Sequence, residues 1–120
     1  MQITTTNPAL AGVLRYSVAY TLSIEAIHTL CCENGNLRSR LGAIDPEYYS
    51  LREKDLPEHG SIRTNFASLY SMATESPPSQ FHDGRLTATL SAAHYTKLKK
   101  IAQFVWDVHR ELSEYMQGDA

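Results

Sequence analysis

Two pairs of side chains have types and spacings that could support chemistry, and the first is His28 with Cys32. They stand four positions apart in a segment predicted to be helical, where an imidazole and a thiolate can bind one metal ion. A structural zinc site needs four ligands, and the sequence offers no second His/Cys pair at ligand spacing. We therefore predict no metal site. No glycine-rich phosphate loop occurs either, and we predict no cofactor.

The second pair is Arg52 and His59, which are separated by six residues. This spacing resembles the Arg–His motif of HEPN ribonucleases, small helical bundles of bacterial toxin and antiviral systems in which both residues act on the scissile phosphate. The resemblance implies an RNA-cleaving toxin or defence component with Arg52 and His59 as the catalytic pair. The family places its motif at a helix, whereas Pro57 lies between these residues. We therefore keep this activity as an alternative hypothesis.

A short basic run, Lys97, Lys99 and Lys100 beside Tyr95, could contact phosphates. Acidic residues follow on the same predicted helix, and the formal net charge of the chain is −2. Without an overall basic excess, the long-range attraction that dominates non-specific nucleic-acid binding is missing. A nucleic-acid-binding regulator is therefore a further alternative, and we expect these lysines to be solvated.

The segment from 91 to 117 must form an amphipathic helix. Its apolar residues recur at steps of three, four and seven, as in Leu98, Ile101, Val105 and Leu112. This spacing fits the 3.6-residue period of an α-helix and contradicts the alternation of a strand. One broad face of this helix must be buried.

A second long helix is predicted at about 8–32. Asn7 followed by Pro8 is typical of a helix start, because an Asx side chain can accept from first-turn amides and proline tolerates the first helical position. Only Arg15 and Glu25 are charged within this range. A helix that is apolar on most sides predicts a central position in the fold.

Shorter elements connect the two long helices. Arg38 and Arg40 are expected on the exposed side of the first short helix, and 45–60 reads as an irregular connector with one helical turn. For 85–90 we favour a helix over a strand, because no second strand is available for pairing. The predicted short helices are 37–44, 61–73 and 85–90.

These elements predict an all-α fold, a small helical bundle with two long helices (about 8–32 and 91–117) and two or more short helices between them. The 120 residues suit a single domain. Residues 1–6 are expected to be a flexible N-terminus, and 74–84 a mobile loop because of its Ser/Pro and Asp-Gly signals.

Trp106 lies at the border of the apolar face of the last helix. With Tyr95, Tyr115 and Met116 it could form a surface for a partner helix, because large aromatic residues are enriched in contact surfaces. We therefore predict a non-enzymatic protein-interaction module, an adaptor, regulator or inhibitor of another protein, and expect a homodimer that completes its apolar surface.

The sequence also predicts a compartment. The most lipid-like window, residues 16–24, is far shorter than the ~20 residues that span a bilayer. The first residues lack the features of a secretion signal, and a bridge between Cys31 and Cys32 would be strained. We expect a cytoplasmic protein that does not associate with membranes.

Overall fold

The computed structural model describes residues 8–76 and 84–118, with side chains from residue 15 onward. The described residues form six α-helices and one 3₁₀ turn at Glu53–Asp55, with no strand among them. The predicted all-α bundle with two long helices is therefore confirmed. The helices are α1 (Pro8–Cys32), α2 (Leu37–Ala43), α3 (Pro46–Tyr49), α4 (Ile62–Ala73), α5 (Gly84–Ala92) and α6 (Tyr95–Met116).

The core is organised around α6, which packs against α1 on one side and α4 on the other. The predicted apolar face of α6 is fully buried. Burial of each of its large side chains stabilises the fold by about 1.5–3 kcal/mol. The buried residues of this face are Leu98, Ile101, Val105, Val108 and Leu112.

The position of α1 differs from the prediction. Ala19, Leu22 and Ala26 are buried against the core, but Val18 is 65% exposed and Ile24 is 44% exposed. The expectation that α1 is central was wrong. A helix with few charged residues can still leave one side exposed to solvent. The exposed side chains of α1 include the charged Arg15 and Glu25 as well as Val18 and Ile24.

A break separates α5 from α6. The predicted helix at 85–90 is confirmed within α5, but α6 begins at Tyr95 because His94 has extended backbone angles. The guanidinium of Arg38 donates to the carbonyl oxygens of Leu90 at 2.9 Å and Ala93 at 2.7 Å. These bonds satisfy carbonyls that have no partner at a helix C-terminus.

Arg40 has the same role at the end of α1, where it donates to the carbonyl oxygen of Leu30 at 2.7 Å. The expected exposure is confirmed for Arg38, whereas Arg40 is half-buried. Both side chains connect α2 to the ends of other helices.

The connector at 45–60 contains α3 and the 3₁₀ turn, and it buries Tyr48, Tyr49 and Leu56. The hydroxyl of Tyr49 donates to the carbonyl oxygen of Leu41 at 2.8 Å. This segment is therefore an integral part of the core.

The predicted flexible residues 1–6 lie outside the described residues, as do 77–83 of the predicted mobile loop. The described flanks of that loop are anchored. The amide of Ser76 donates to the buried hydroxyl of Thr89 at 2.9 Å, and Glu75 pairs with Lys97 at 2.8 Å.

Candidate functional site

Two of the predicted partner-binding residues share one side of α6. Tyr95 and Trp106 are eleven residues apart, which is almost a whole number of turns and about 16 Å along the axis. Tyr95 is 64% exposed and Trp106 is 47% exposed. The ammonium of Lys99 lies 5.7 Å from the centre of the Tyr95 ring, at a distance typical of a cation–π contact.

Trp106 is connected to α1 through His109. The two ring centres are 5.9 Å apart, and the imidazole of His109 is parallel to the ring of Tyr20 at 6.2 Å. Nδ1 of His109 lies 3.1 Å from the hydroxyl of buried Ser23. Because that hydroxyl donates its proton to the carbonyl oxygen of Tyr20, it accepts from Nδ1–H.

The environment of His109 controls its charge. Partial burial between α1 and α6 lowers the pKa of the imidazole below its usual value of 6.5. Desolvation disfavours the charged form, so this residue is neutral at physiological pH. The aromatic cluster therefore contributes no formal charge to the surface beside Trp106.

We call Tyr20, Ile24, Trp106 and His109 the α1–α6 surface. Ile24 follows Tyr20 by one turn and is exposed, so apolar contact area extends from α6 onto α1. None of these four side chains carries a charge at neutral pH. Four further exposed residues of α1 continue the surface: Ser17, Thr21, His28 and Cys31.

Sequence reasoning missed the α1 half of this surface, because the helix at 8–32 was predicted to be central and therefore covered on most sides. The available signal was the row Ser17, Thr21, Ile24, His28 and Cys31, spaced by four and three. Such a row lies on one face of a helix and contains no charge.

Tyr115 and Met116 are placed differently from Trp106. Tyr115 is nine residues beyond Trp106, two and a half turns, and so lies on the opposite side of α6. Its ring packs edge-on against Tyr16 at 5.7 Å and against His59 at 5.4 Å. Tyr115 and Met116 are both half-buried. The structure therefore brings Tyr95 and Trp106 onto one side of α6 and leaves Tyr115 on the other.

The two residues of the alternative catalytic pair have different neighbours in the structure. Arg52 lines a cleft beside α4, whereas the ring of His59 packs against Tyr115 of α6. The hydrogen bond that the structure gives for Arg52 is local, from its backbone amide to the carboxylate of Asp55 at 2.8 Å. RNA cleavage by this pair stays a prediction, with no supporting geometry.

The basic run is divided among different contacts. Lys97 forms an ion pair with Glu75, Lys99 lies over Tyr95, and Lys100 is exposed. The three ammonium groups therefore have three different environments. Nucleic-acid binding through them stays a prediction.

His28 and Cys32 are both exposed at the C-terminal end of α1, and Cys31 and Cys32 are free thiols. Over residues 8–76 and 84–118, no group of three or more His, Cys, Asp or Glu side chains is arranged to hold a metal ion.

None of the described helices has the length and apolar character needed to cross a membrane. Comparison of the chain with protein-family models, with curated proteins and with solved structures found no match.

Proposed function

We propose that this protein is a non-enzymatic interaction module that binds another protein through the α1–α6 surface. The observation that carries the proposal is the exposure of Trp106. A tryptophan that is half exposed and positioned by His109 and Tyr20 offers a large contact area that loses little conformational freedom on binding.

The chemistry of the surface supports a protein partner. Burying Trp106 and Ile24 removes apolar area from water, and no formal charge has to be desolvated with them. Exposed polar and charged residues on the same helix, such as Gln103 and Arg110, provide the polar rim that protein interfaces usually have. An adaptor, regulator or inhibitor needs no further chemistry than this.

Site-specific photocross-linking in the cells that express the gene tests the proposal. Benzoylphenylalanine at Trp106 should yield a discrete adduct with one partner, and the same probe at Thr87, an exposed residue of α5, should yield much less. With that partner purified, Trp106→Ala should weaken binding by about 30-fold, because aromatic hot spots contribute about 2 kcal/mol or more. Thr87→Ala serves as the matched control. Equal affinity of both variants would contradict the proposal.

The partner we propose to test first is a second copy of the chain, since a small bundle with exposed apolar helix surface can complete its core by forming a homodimer. Sedimentation equilibrium over a range of concentrations measures this directly. Dimerisation that Trp106→Ala abolishes would identify the α1–α6 surface as the dimer interface. A monomer at all concentrations would restrict the proposal to a different protein.

The proposed compartment is the cytoplasm, because exposed free thiols such as Cys31 and Cys32 persist where the medium is reducing. The RNA-cleaving alternative predicts hydrolysis of mixed RNA that His59→Ala abolishes. A purified protein that leaves RNA intact would remove that alternative.

A further inference from the structure

A cleft of about 1060 Å³ lies between residues 49–56 and the outer side of α4, away from the α1–α6 surface. We propose that it binds a small organic anion with an apolar body, such as an aromatic carboxylate or sulfonate. Its volume lies slightly above the usual range for small-molecule sites, about 300–1,000 Å³. The inference goes beyond the proposed function and uses none of its residues.

The apolar part of the cleft comes from both of its sides. Leu51 is half-buried on the connector, while α4 provides buried Phe66 and the ring of Tyr70, which is 49% exposed. Between them stands Ala67, an exposed residue whose single methyl group leaves space for a ligand. An aromatic body placed there would contact Leu51 and Tyr70 and remove their apolar area from water.

Four charged residues line the cleft, and three of them are paired: Arg63 pairs with Glu58 at 3.0 Å and with Glu53 at 3.5 Å, and Glu75 pairs with Lys97 at 2.8 Å. Arg52 also lines the cleft, and its guanidinium has no ion pair with any described residue. A bound carboxylate or sulfonate could therefore accept from Arg52 without breaking an existing pair. Such charge-assisted bonds are stronger than neutral ones and fix the orientation of the ligand.

Two dyes that share one aromatic scaffold test the proposal: 8-anilinonaphthalene-1-sulfonate, which is an anion, and N-phenyl-1-naphthylamine, which is neutral. We expect saturable fluorescence enhancement of the anion at one site per chain. Arg52→Gln should weaken binding of the anionic dye by about tenfold, because one charge-assisted hydrogen bond is lost. The affinity for the neutral dye should be unchanged. Arg85→Gln, which changes an exposed arginine on α5, is the matched control.

A bulky substitution tests the location. Ala67→Trp should fill the cleft and abolish binding of both dyes, whereas Ala92→Trp, at an exposed position outside the cleft, should not. Thermal melting verifies that each variant folds, and Ser71→Trp, on the same lining, replaces Ala67→Trp if the latter is unfolded.

Three results would overturn the inference. These are no saturable binding of the anionic dye up to millimolar concentration, equal losses in Arg52→Gln and Arg85→Gln, and loss of the signal in Trp106→Ala. The last result would assign the dye to the α1–α6 surface. Dye binding therefore tests the cleft, whereas cross-linking and partner affinity test the proposed function.

Discussion

Two neighbouring tyrosines in the connector have the same chemistry and different surroundings. Tyr48 and Tyr49 are both buried, and burial raises the pKa of both hydroxyls above the usual value of 10, so both are neutral at physiological pH. Tyr49 donates a hydrogen bond to Leu41, but the hydroxyl of Tyr48 has no partner among the described residues. A buried polar group without a partner reduces stability.

The two tyrosines should therefore respond to phenylalanine with opposite signs. Tyr48→Phe removes an unsatisfied hydroxyl and should raise the free energy of unfolding by about 1 kcal/mol, whereas Tyr49→Phe should lower it by about 1–2 kcal/mol because the Leu41 carbonyl loses its donor. Urea denaturation of both variants measures the difference. Equal destabilisation would mean that both hydroxyls are bonded in solution.

His109 should make stability dependent on pH. Its folded-state pKa is depressed below 6.5, so the unfolded chain binds a proton more readily than the folded chain. Its contribution to stability is therefore complete above about pH 6.5 and is lost as the pH falls through the folded-state value. The melting temperature should be lower at pH 5 than at pH 7.5.

His109→Gln is the control for this prediction, because glutamine can still donate to Ser23 but does not titrate. The decrease in melting temperature between pH 7.5 and pH 5 should be smaller in the variant. An identical decrease would assign the pH dependence to other groups.

Helix ends are stabilised here by side chains from other helices. Ser61 precedes α4 without a capping bond from its own side chain. Instead, the carboxylate of Glu111 on α6 accepts from the amide of Ser61 at 2.8 Å and from the side chain of Asn65 at 2.6 Å. A negative charge at a helix N-terminus also interacts favourably with the helix dipole. Glu111 therefore caps α4 and ties it to α6.

Replacing this cap should destabilise the protein. We expect Glu111→Ala to lower the free energy of unfolding by about 1–2 kcal/mol, the usual cost of losing an N-terminal cap. Glu114→Ala, one turn away, removes only a surface ion pair with Arg110. It should change the free energy of unfolding by less than about 0.5 kcal/mol. Chemical denaturation measures the free energy of unfolding of both variants. Similar losses in the two variants would disprove the capping role of Glu111.

Close approach to this cap also explains Gly60. Its φ angle is +54°, and a Cβ atom there would lie 2.8 Å from Oε2 of Glu111. Only glycine combines this backbone conformation with this contact at no cost. The turn before α4 is therefore shaped around the carboxylate.

At the scale of the whole molecule, stability depends on the face that α6 presents to α1 and α4. Val105 lies in that face and is buried, whereas Trp106 is the next residue and half exposed. Val105→Asp would bury an unpaired carboxylate and should lower the free energy of unfolding by more than about 4 kcal/mol. Trp106→Asp should leave a cooperative thermal transition, as measured by circular dichroism. A wild-type melting temperature for Val105→Asp would refute this packing.

The predicted elements agree with the structure where the signals are local. Pro8 begins α1, the apolar spacing around Val105 marks α6, and the helix favoured at 85–90 lies within α5. The predicted start of α6 was too early by four residues. The break at His94 is stabilised by Arg38, and this arginine lies 52 or more positions away from the carbonyls that it binds. No local pattern encodes such a bond.

The candidate site was predictable only in part. Tyr95 and Trp106 share a side of α6, as helical spacing requires, but the contribution of Ile24 depends on which side of α1 the other helices leave uncovered. The different neighbours of Arg52 and His59 are likewise a tertiary result, since a turn can direct residues close in sequence to different elements.

Periodicity, turn residues and the near-absence of charge from 8 to 32 were enough to establish that this chain is an all-α bundle with two long helices, because helix formation depends on local backbone preferences and on one continuous apolar face. Tertiary structure alone decided that α6 is central, that Glu111 and Arg38 satisfy distant helix ends, and that Trp106 joins α1 through His109. These contacts depend on packing between distant segments, which composition and spacing do not specify.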